Sequence, residues 1–254
     1  ARKIFTKQNI SNYKPLFGIE REFFVYDTNK NPRCPIGWEN GTPEAQGPYY
    51  CSVGSDVCFG KDFLEEALDL CLDIDLSVTG SNMEVCPGQM EIQICDQGIE
   101  ASDQCVILSY ILARLGEEYN YSIDWRAKPI EGDWNGSGCH VNFSTIQMRT
   151  PPESSPFENP NGYNEILKSI ERLREKHYEH IEVYGDDNGE RLTGLHETSS
   201  INTFSYGVAD RGASIRIPRD TEKNGYGYFE DRRPSSSADM YLVTSKIFET
   251  SIGL

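Results

Sequence analysis

Asn82-Met-Glu-Val-Cys-Pro-Gly-Gln-Met-Glu-Ile-Gln-Ile94 holds a turn signal between two strand-like flanks. Pro87 fixes φ at one turn position and Gly88 permits φ > 0 at the next. Met83 and Val85 before the turn, and Met90, Ile92 and Ile94 after it, alternate with polar residues as half-buried strands do. A turn symmetric about Pro87-Gly88 sets Cys86 opposite Gln89, Val85 opposite Met90 and Glu84 opposite Glu91. Opposed residues of an antiparallel pair stand about 5 Å apart, and like charges there repel. Two such carboxylates need a cation, a shared proton or open water. The stretch alone fits either a solvated hairpin end or a divalent-metal site, because hard cations draw several carboxylate oxygens together.

Phe17-Gly-Ile-Glu-Arg-Glu-Phe-Phe-Val-Tyr26 reads as another strand. Its period of two puts Glu20 and Glu22 on one face, opposite Ile19, Arg21, Phe23 and Val25. Alone, such a pair usually marks the wet face of a sheet. Glu131-Gly-Asp-Trp-Asn-Gly-Ser-Gly-Cys-His140 is a glycine-rich loop leading into a short strand, Val141-Asn-Phe-Ser144. Gly136 and Gly138 permit close approach of a ligand to the backbone, and His140 reads as a hydrogen-bonded core histidine or as a ligand. Ala213 to Pro218 is a strand in which Arg216 faces away from Ile215 and Ile217, and Glu230 lies two residues before Arg232.

Helices are expected over Asp62–Asp73, with Phe63, Leu64, Ala67, Leu68, Cys71 and Leu72 inward, and over Asp103–Glu118, with Val106, Ile107, Tyr110, Ile111 and Leu115 inward. A longest helix is expected over Asn161–Tyr184, including structural or exposed His177 and His180. A last helix, capped by Ser237 or Asp239, is expected through Ile252. Residues 1–16 read as an irregular lead-in, Asp27–Cys58 as a long loop, Thr150–Pro160 as a linker and Gly185–Glu190 as a flexible acidic loop.

The 254 residues suffice for one large domain with a real core. A hydrophobic content of 37% and a charged content of 25% describe a soluble globular chain. No apolar run approaches a membrane span. Eight cysteines without a C-x-x-C pair read as reduced thiols of a cytosolic protein. A net charge of −16 argues against nucleic acid and anionic membranes as partners. Against that acidity, Arg211, Arg216, Arg219, Arg232 and Arg233 gather late in the chain and point to an anionic small molecule. Carboxylates and a histidine for divalent metal, with arginines for phosphate and carboxylate, fit phosphoryl transfer.

These motifs together resemble the catalytic domain of eukaryotic-type glutamine synthetase. The matching strings are Phe17-Gly-Ile-Glu-Arg-Glu22, Gln46-Gly-Pro-Tyr-Tyr50, Glu84-Val-Cys-Pro-Gly-Gln-Met-Glu91, Trp134-Asn-Gly-Ser-Gly-Cys-His140, Arg191-Leu-Thr-Gly-Leu-His-Glu197, Ala213-Ser-Ile-Arg-Ile-Pro218 and Gly227-Tyr-Phe-Glu-Asp-Arg-Arg-Pro234. They run in family order from Phe17 almost to the end. The resemblance implies an α+β fold with a curved, mostly antiparallel sheet flanked by helices. It also implies cytoplasmic ATP-dependent ligation of ammonia to L-glutamate through a γ-glutamyl phosphate, with two or more Mg²⁺ or Mn²⁺ ions.

By position, the resemblance implies that Glu22, Glu84 and Glu91 hold the metal nearer glutamate, and Glu20, His140 and Glu230 the metal nearer the ATP phosphates. Asp133, Trp134, Gly136, Arg191, Arg211 and Arg232 would meet glutamate. Glu91, Asn142, Phe143, Ser144, Arg211, Arg216 and Tyr228 would meet ATP. Glu197, Arg191 and Arg211 would act in catalysis, with Glu197 shielding the intermediate from water. The family also implies a ring-shaped homo-oligomer, a decamer, with active sites shared between subunits. Two departures stand out. Met90 occupies a position where the family usually has an aromatic, and the small N-terminal β-grasp domain is expected to be absent, leaving residues 17–254 as the catalytic domain. A ligase for a larger amine, or a structural or regulatory relative without catalysis, are the alternatives.

Overall fold

A computed structural model describes residues 1–6, 11–156 and 161–254; residues 157–160 of the expected linker lie outside it. The core is a curved sheet built around β1 (Leu16–Asp27). On one side β1 pairs antiparallel with β3 (Gln89–Gln97), which pairs in turn with β2 (Val78–Met83). On the other side β1 pairs with β5 (Cys139–Ser144), followed by β8 (Phe229–Asp231), β7 (Ile215–Ile217) and β6 (Tyr206–Val208). The short β4 (Tyr121–Asp124) pairs with the far end of β1. Only the β6–β7 pair is parallel among the described strands.

Alternation divides this sheet into two chemically different faces. Phe17, Ile19, Phe23 and Val25 of β1, Met90, Ile92 and Ile94 of β3, Val141 and Phe143 of β5, and Ile215 and Ile217 of β7 are all buried in one apolar core. Covering helices supply the rest: α2 (Lys61–Asp73), α3 (Glu100–Tyr119), α5 (Gly162–Glu175) and α9 (Met240–Ile252, capped by Asp239). Met90 is fully buried there. Shorter pieces connect these layers: α1 (Arg2–Phe5), α4 (Ile146–Arg149), α6 (His177–Ile181), α7 (Asn188–Arg191) and α8 (Arg219–Asn224). All eight cysteines are free thiols.

Several expectations change. The turn is centred on Pro87-Gly88, with Cys86 opposite Gln89 as expected, but its flanks are not symmetric. The ladder ends at Met83 opposite Met90, so Asn82, not Glu84, faces Glu91 across β2–β3. The two extra residues, Glu84 and Val85, lie between the end of the ladder and the tight turn closed by the Gln89 N–H donating to Cys86 O. In α3 the inward face is Ala101, Cys105, Leu108, Leu112 and Leu115, while Val106, Ile107 and Tyr110 are exposed. Leu72 of α2 is exposed as well. The expected helix over 161–184 breaks at Lys176, leaving α3 the longest described helix. The break sets His177 so that its ring meets Ile201 O and Arg233 Nη1. The lead-in is not irregular throughout, for α1 brings Phe5 flat against Phe248 and edge-on to Phe17. The acidic loop at 185–190 runs into α7, whose Asn188 is buried and donates to Tyr184 O and Arg233 O.

Candidate active site

The second face of the sheet carries the polar partners of the same alternation. Glu20 and Glu22 leave β1 on this side, Glu91 and Gln93 leave β3, and His140 and Asn142 leave β5. Arg216 leaves β7, and Glu230 leaves β8 with Arg232 just beyond its end. The register places Glu22 opposite Glu91, Glu20 opposite His140, and Arg216 opposite Glu230. Glu20, Glu22, Glu91, Gln93, His140, Arg216 and Arg232 line a cavity of about 230 Å³ together with Tyr50, Glu84, Arg191, Glu197 and Arg211.

Two ligand-like trios stand at the cavity, with Glu230 buried behind its lining. Glu22, Glu84 and Glu91 form one, and Glu20, His140 and Glu230 the other; within each, donor atoms lie within 4.8 Å of one another. Glu84 belongs despite the altered turn, because a shift of two residues keeps a side chain on its face. Burial, then the Glu22 and Glu91 charges, push Glu84 well above the usual carboxylate range. Burial and the Glu22 charge push Glu91 up to about 8. Glu22 is also raised by burial, against the pull of Arg191 and the Gly138 N–H. Buried carboxylates that raise one another in this way favour a cation between them.

The second trio is held by cations of the protein. Glu230 is fully buried. Its Oε1 accepts from Arg232 Nη1 at 2.8 Å, and Oε2 is in ion-pair contact with Arg216 Nε but accepts no hydrogen bond. His140 Nδ1 lies 3.5 Å from Glu20 Oε2 and 3.4 Å from Glu230 Oε1. Burial, with Arg232 and Arg191 close by, holds this imidazole well below its ordinary pKa, so it is neutral. A carboxylate trio and a carboxylate–histidine trio suit two hard or borderline divalent cations such as Mg²⁺ or Mn²⁺. The buried Glu230 Oε2 without a hydrogen bond is an acceptor still to be satisfied.

The glycine-rich loop closes over Arg191. A Cβ on Gly136 would stand 2.4 Å from Ala127 O, so only glycine lets the loop pass there, and one on Gly138 would press on Arg191 Nη2 at 2.6 Å. Arg191 is buried and donates to Arg232 O and Arg233 O; burial lowers its pKa to about 10. Gly136 lines the cavity, but Asn135, rather than Trp134, lines it beside Gly136. Trp134 is buried in a separate apolar cluster with Phe24, Tyr26 and Cys86. Asp133 stands at the mouth, paired with His196 at 3.3 Å.

Of the expected nucleotide contacts, Asn142 Nδ2 donates to Glu20 Oε1 at 2.7 Å. Tyr228 is partly exposed, its phenol raised by burial and by the Glu20 and Glu230 charges. Ser144 is buried, its hydroxyl accepting from Arg149. Phe143 is a correction: the alternation of β5 turns its ring to the helix side, where it packs on Phe17 and Phe229. The late arginines also divide. Arg233 faces the helix-side interior, bound to Asp231, whereas Arg211, Arg216 and Arg232 line the cavity.

The residues not singled out from sequence are the amides that hold each carboxylate. Gln89 Nε2 donates to Glu22 Oε2 at 2.8 Å and to Gly136 O at 3.1 Å. Asn82 Nδ2 donates to Glu84 Oε1 at 2.8 Å, and Gln93 Nε2 to Glu91 Oε1 at 2.7 Å. Their signal was present, since Gln89, Glu91 and Gln93 alternate on one face.

The comparisons with known proteins agree with this geometry. Residues 1–172 match the family model described as glutamine synthetase, catalytic domain. The glutamine synthetase cytosolic isozyme 1-5 of Arabidopsis thaliana is 50% identical over 254 residues, covering 99% of this chain and 69% of that protein. Cytosolic isozyme 1-1 of Oryza sativa subsp. japonica is 47% identical, covering 99% and 68%. The cytosolic isozyme of Pinus sylvestris is 46% identical with the same coverage of each chain as the rice isozyme. The chain belongs to the glutamine synthetase family.

Proposed function

We propose that the chain is a glutamate–ammonia ligase, forming L-glutamine from L-glutamate, ammonia and ATP through a γ-glutamyl phosphate. The observation that carries this reading is the clustering of two ligand trios, one of them around the buried Glu230, at one cavity lined by Arg191, Arg211, Arg216 and Arg232. In our reading Glu22, Glu84 and Glu91 hold one divalent metal, and Glu20, His140 and Glu230 a second. When bound, such ions act as Lewis acids and neutralise charge on the transferring phosphoryl group. Arg211 and Arg216 meet phosphate, and Arg191 and Arg232 meet the glutamate carboxylates through planar forks suited to both anions.

The side-chain carboxylate of glutamate takes the γ-phosphoryl group, and ADP departs. Ammonia then bonds to the acyl carbon and gives up a proton to solvent, the carbon–oxygen bond to the phosphoryl group breaks, and phosphate leaves. Glu197 at the cavity wall keeps water from the acyl phosphate, which would otherwise hydrolyse. Neither a non-catalytic relative nor a ligase for larger amines is favoured, because both ligand trios and the four arginines are in place and the relatives reported above are named glutamine synthetases. The test is glutamine and ADP formation from ATP, glutamate and ammonium with Mg²⁺ or Mn²⁺. Hydroxylamine in place of ammonia should yield γ-glutamyl hydroxamate. Absence of both products would overturn the reading.

We further propose a cytosolic location, after the names of its relatives; no described helix is long and apolar enough to cross a membrane. The ring-shaped homo-oligomer implied by resemblance is tested by sedimentation.

A further inference from the structure

Three loops remote in sequence meet at the mouth of the cavity on one imidazole. His196 Nε2 lies 3.3 Å from Asp133 Oδ1, and His196 Nδ1 lies 3.4 Å from Gln46 Nε2. The Gln46 amide also reaches Asn135 Oδ1 at 3.0 Å and Asp133 O at 3.4 Å. An amide N–H can only donate, so Nδ1 accepts and Nε2 carries the proton offered to Asp133. The long loop after β1, the glycine-rich loop before β5 and the segment after α7 are thereby tied together. Asp133 is largely exposed. A single contact to so exposed a carboxylate is weak, so the tie can open to admit substrate.

The backbone around this contact is strained. Gln46 has φ 59°, His196 φ 51° and Glu197 φ 60°, in the left-handed region that side-chain-bearing residues avoid. Such conformations persist only where surrounding contacts over-determine them, and they concentrate at functional sites. Here the contacts pull on neighbouring residues. His196 is held by Gln46 and Asp133. Glu197 is held by Arg211 Nη1, 3.3 Å from its Oε1, and by Arg232 Nη2, which donates to its carbonyl at 3.2 Å.

We propose that His196 is a positioning residue. By bridging Gln46 and Asp133 it holds the loop that carries Glu197 against the cavity, and so sets how the acyl phosphate divides between ammonia and water. This rests on the ligase reading above. In the wasted reaction a water oxygen bonds to the acyl carbon, and the carbon–oxygen bond to the phosphoryl group breaks. Glutamate and phosphate leave, with a proton released to solvent. His196 touches none of these atoms; it acts through where Glu197 sits.

The experiment measures phosphate release and glutamine formation together, in the full protein with ATP, glutamate, ammonium and Mg²⁺. His196→Gly is the informative variant, because glycine relieves the backbone strain and removes the bridge at once. The ratio of phosphate to glutamine should rise roughly three- to tenfold, as loosened positioning near a reacting centre does. Gln46→Leu should raise it in the same direction, and the double variant should do no more than His196→Gly alone, since both remove one tie. ATP binding followed by calorimetry separates this from misfolding, and should stay within about twofold because no nucleotide contact is touched. A wild-type protein that makes no glutamine overturns the ligase reading and this proposal together. A wild-type protein that makes glutamine, with an unchanged ratio in His196→Gly, overturns the positioning role alone. Additive effects in the double variant would do the same.

Discussion

Glu22 and Glu91 stand directly opposite each other in the β1–β3 ladder, both buried, with Glu84 completing the trio from the turn. Like charges so opposed destabilise a ladder unless something neutralises them. Without metal, Glu91 neutralises by keeping its proton up to about pH 8.

The sign of the resulting pH dependence follows. The folded Glu91 carboxyl is raised from 4.5 to about 8, so between those values the folded state holds a proton that the unfolded state has lost. The stability of the chelated protein should therefore fall as pH rises from about 4.5 to about 8 and level off above. Metal binding displaces the proton, so Mn²⁺ or Mg²⁺ should raise the melting temperature more at pH 8 than at pH 6. Glu91→Gln should flatten both trends and weaken metal affinity by at least roughly tenfold, as loss of an anionic ligand does. Thermal melts with chelator and with metal, at the two pH values, check this; a metal response equal at both would contradict it.

A second prediction concerns α1. Phe5 stacks on Phe248 with ring centroids 5.6 Å apart and planes 4° from parallel, and meets Phe17 edge-on. Phe5→Ala should cost about 1–3 kcal/mol, from lost burial and lost ring contacts. Urea unfolding should show a lower midpoint with unchanged slope, while the KM for ATP stays as it was. An unchanged midpoint would mean that α1 contributes nothing to the fold.

The His180 ring lies fully buried between Tyr184 Oη, 2.6 Å from Nδ1, and Thr250 Oγ1, 2.9 Å from Nε2. Burial, with Arg233 adding repulsion, lowers it from 6.5 to about 3. The unfolded chain therefore gains a proton below 6.5 that the folded chain refuses until about 3. Stability should be lost as pH falls through this window, by about 3 kcal/mol at pH 4. His180→Leu should be less stable at pH 7 by about 1–3 kcal/mol, having stranded its partners. Its acid dependence between pH 6.5 and pH 4 should nevertheless be shallower. Parallel acid profiles for the two proteins would rule His180 out as the cause.

What could be read from sequence here depended on period. Strand faces were legible because a period of two survives even a wrong register. Placing Glu84 two residues out of its true pairing left it on the correct face, and the trio still assembled. α3 was not legible, because apolar residues occur on both its sides. Val106, Ile107 and Tyr110 offered as good a stripe as Ala101, Cys105, Leu108 and Leu112, and only packing chose between them. The helix break at Lys176 had no glycine or proline to announce it; what accompanies it is the contact of His177 with Arg233 and Ile201, both remote in sequence. Period two put the amides Gln89 and Gln93 on the carboxylate face, yet that they hold the carboxylates shows only once both are packed together.

The last prediction turns on His140 and Arg191. Arg191 Nη2 lies 3.1 Å from His140 Nε2. A guanidinium has no acceptor, so Nε2 must accept, and the proton of the neutral ring sits on Nδ1, facing Glu20 and Glu230. A cation held by this trio requires the lone pair of Nδ1 instead. The proton then belongs on Nε2, where it opposes the Arg191 N–H, and the hydrogen bond between them is lost. Arg191 is released toward the cavity, where we place a glutamate carboxylate. Metal and glutamate should therefore bind with positive coupling, each tightening the other by the same factor. One hydrogen bond of about 1 kcal/mol sets that factor at about fivefold. Calorimetric titration with glutamate, in chelator and then in Mn²⁺, measures it. His140→Ala gives the sharper outcome, because it frees Arg191 without any metal. Glutamate affinity in chelator should then rise toward the metal-loaded value, although the metal site itself is damaged. If His140→Ala weakens glutamate binding in chelator, Arg191 is not restrained by His140, and the coupling must arise elsewhere.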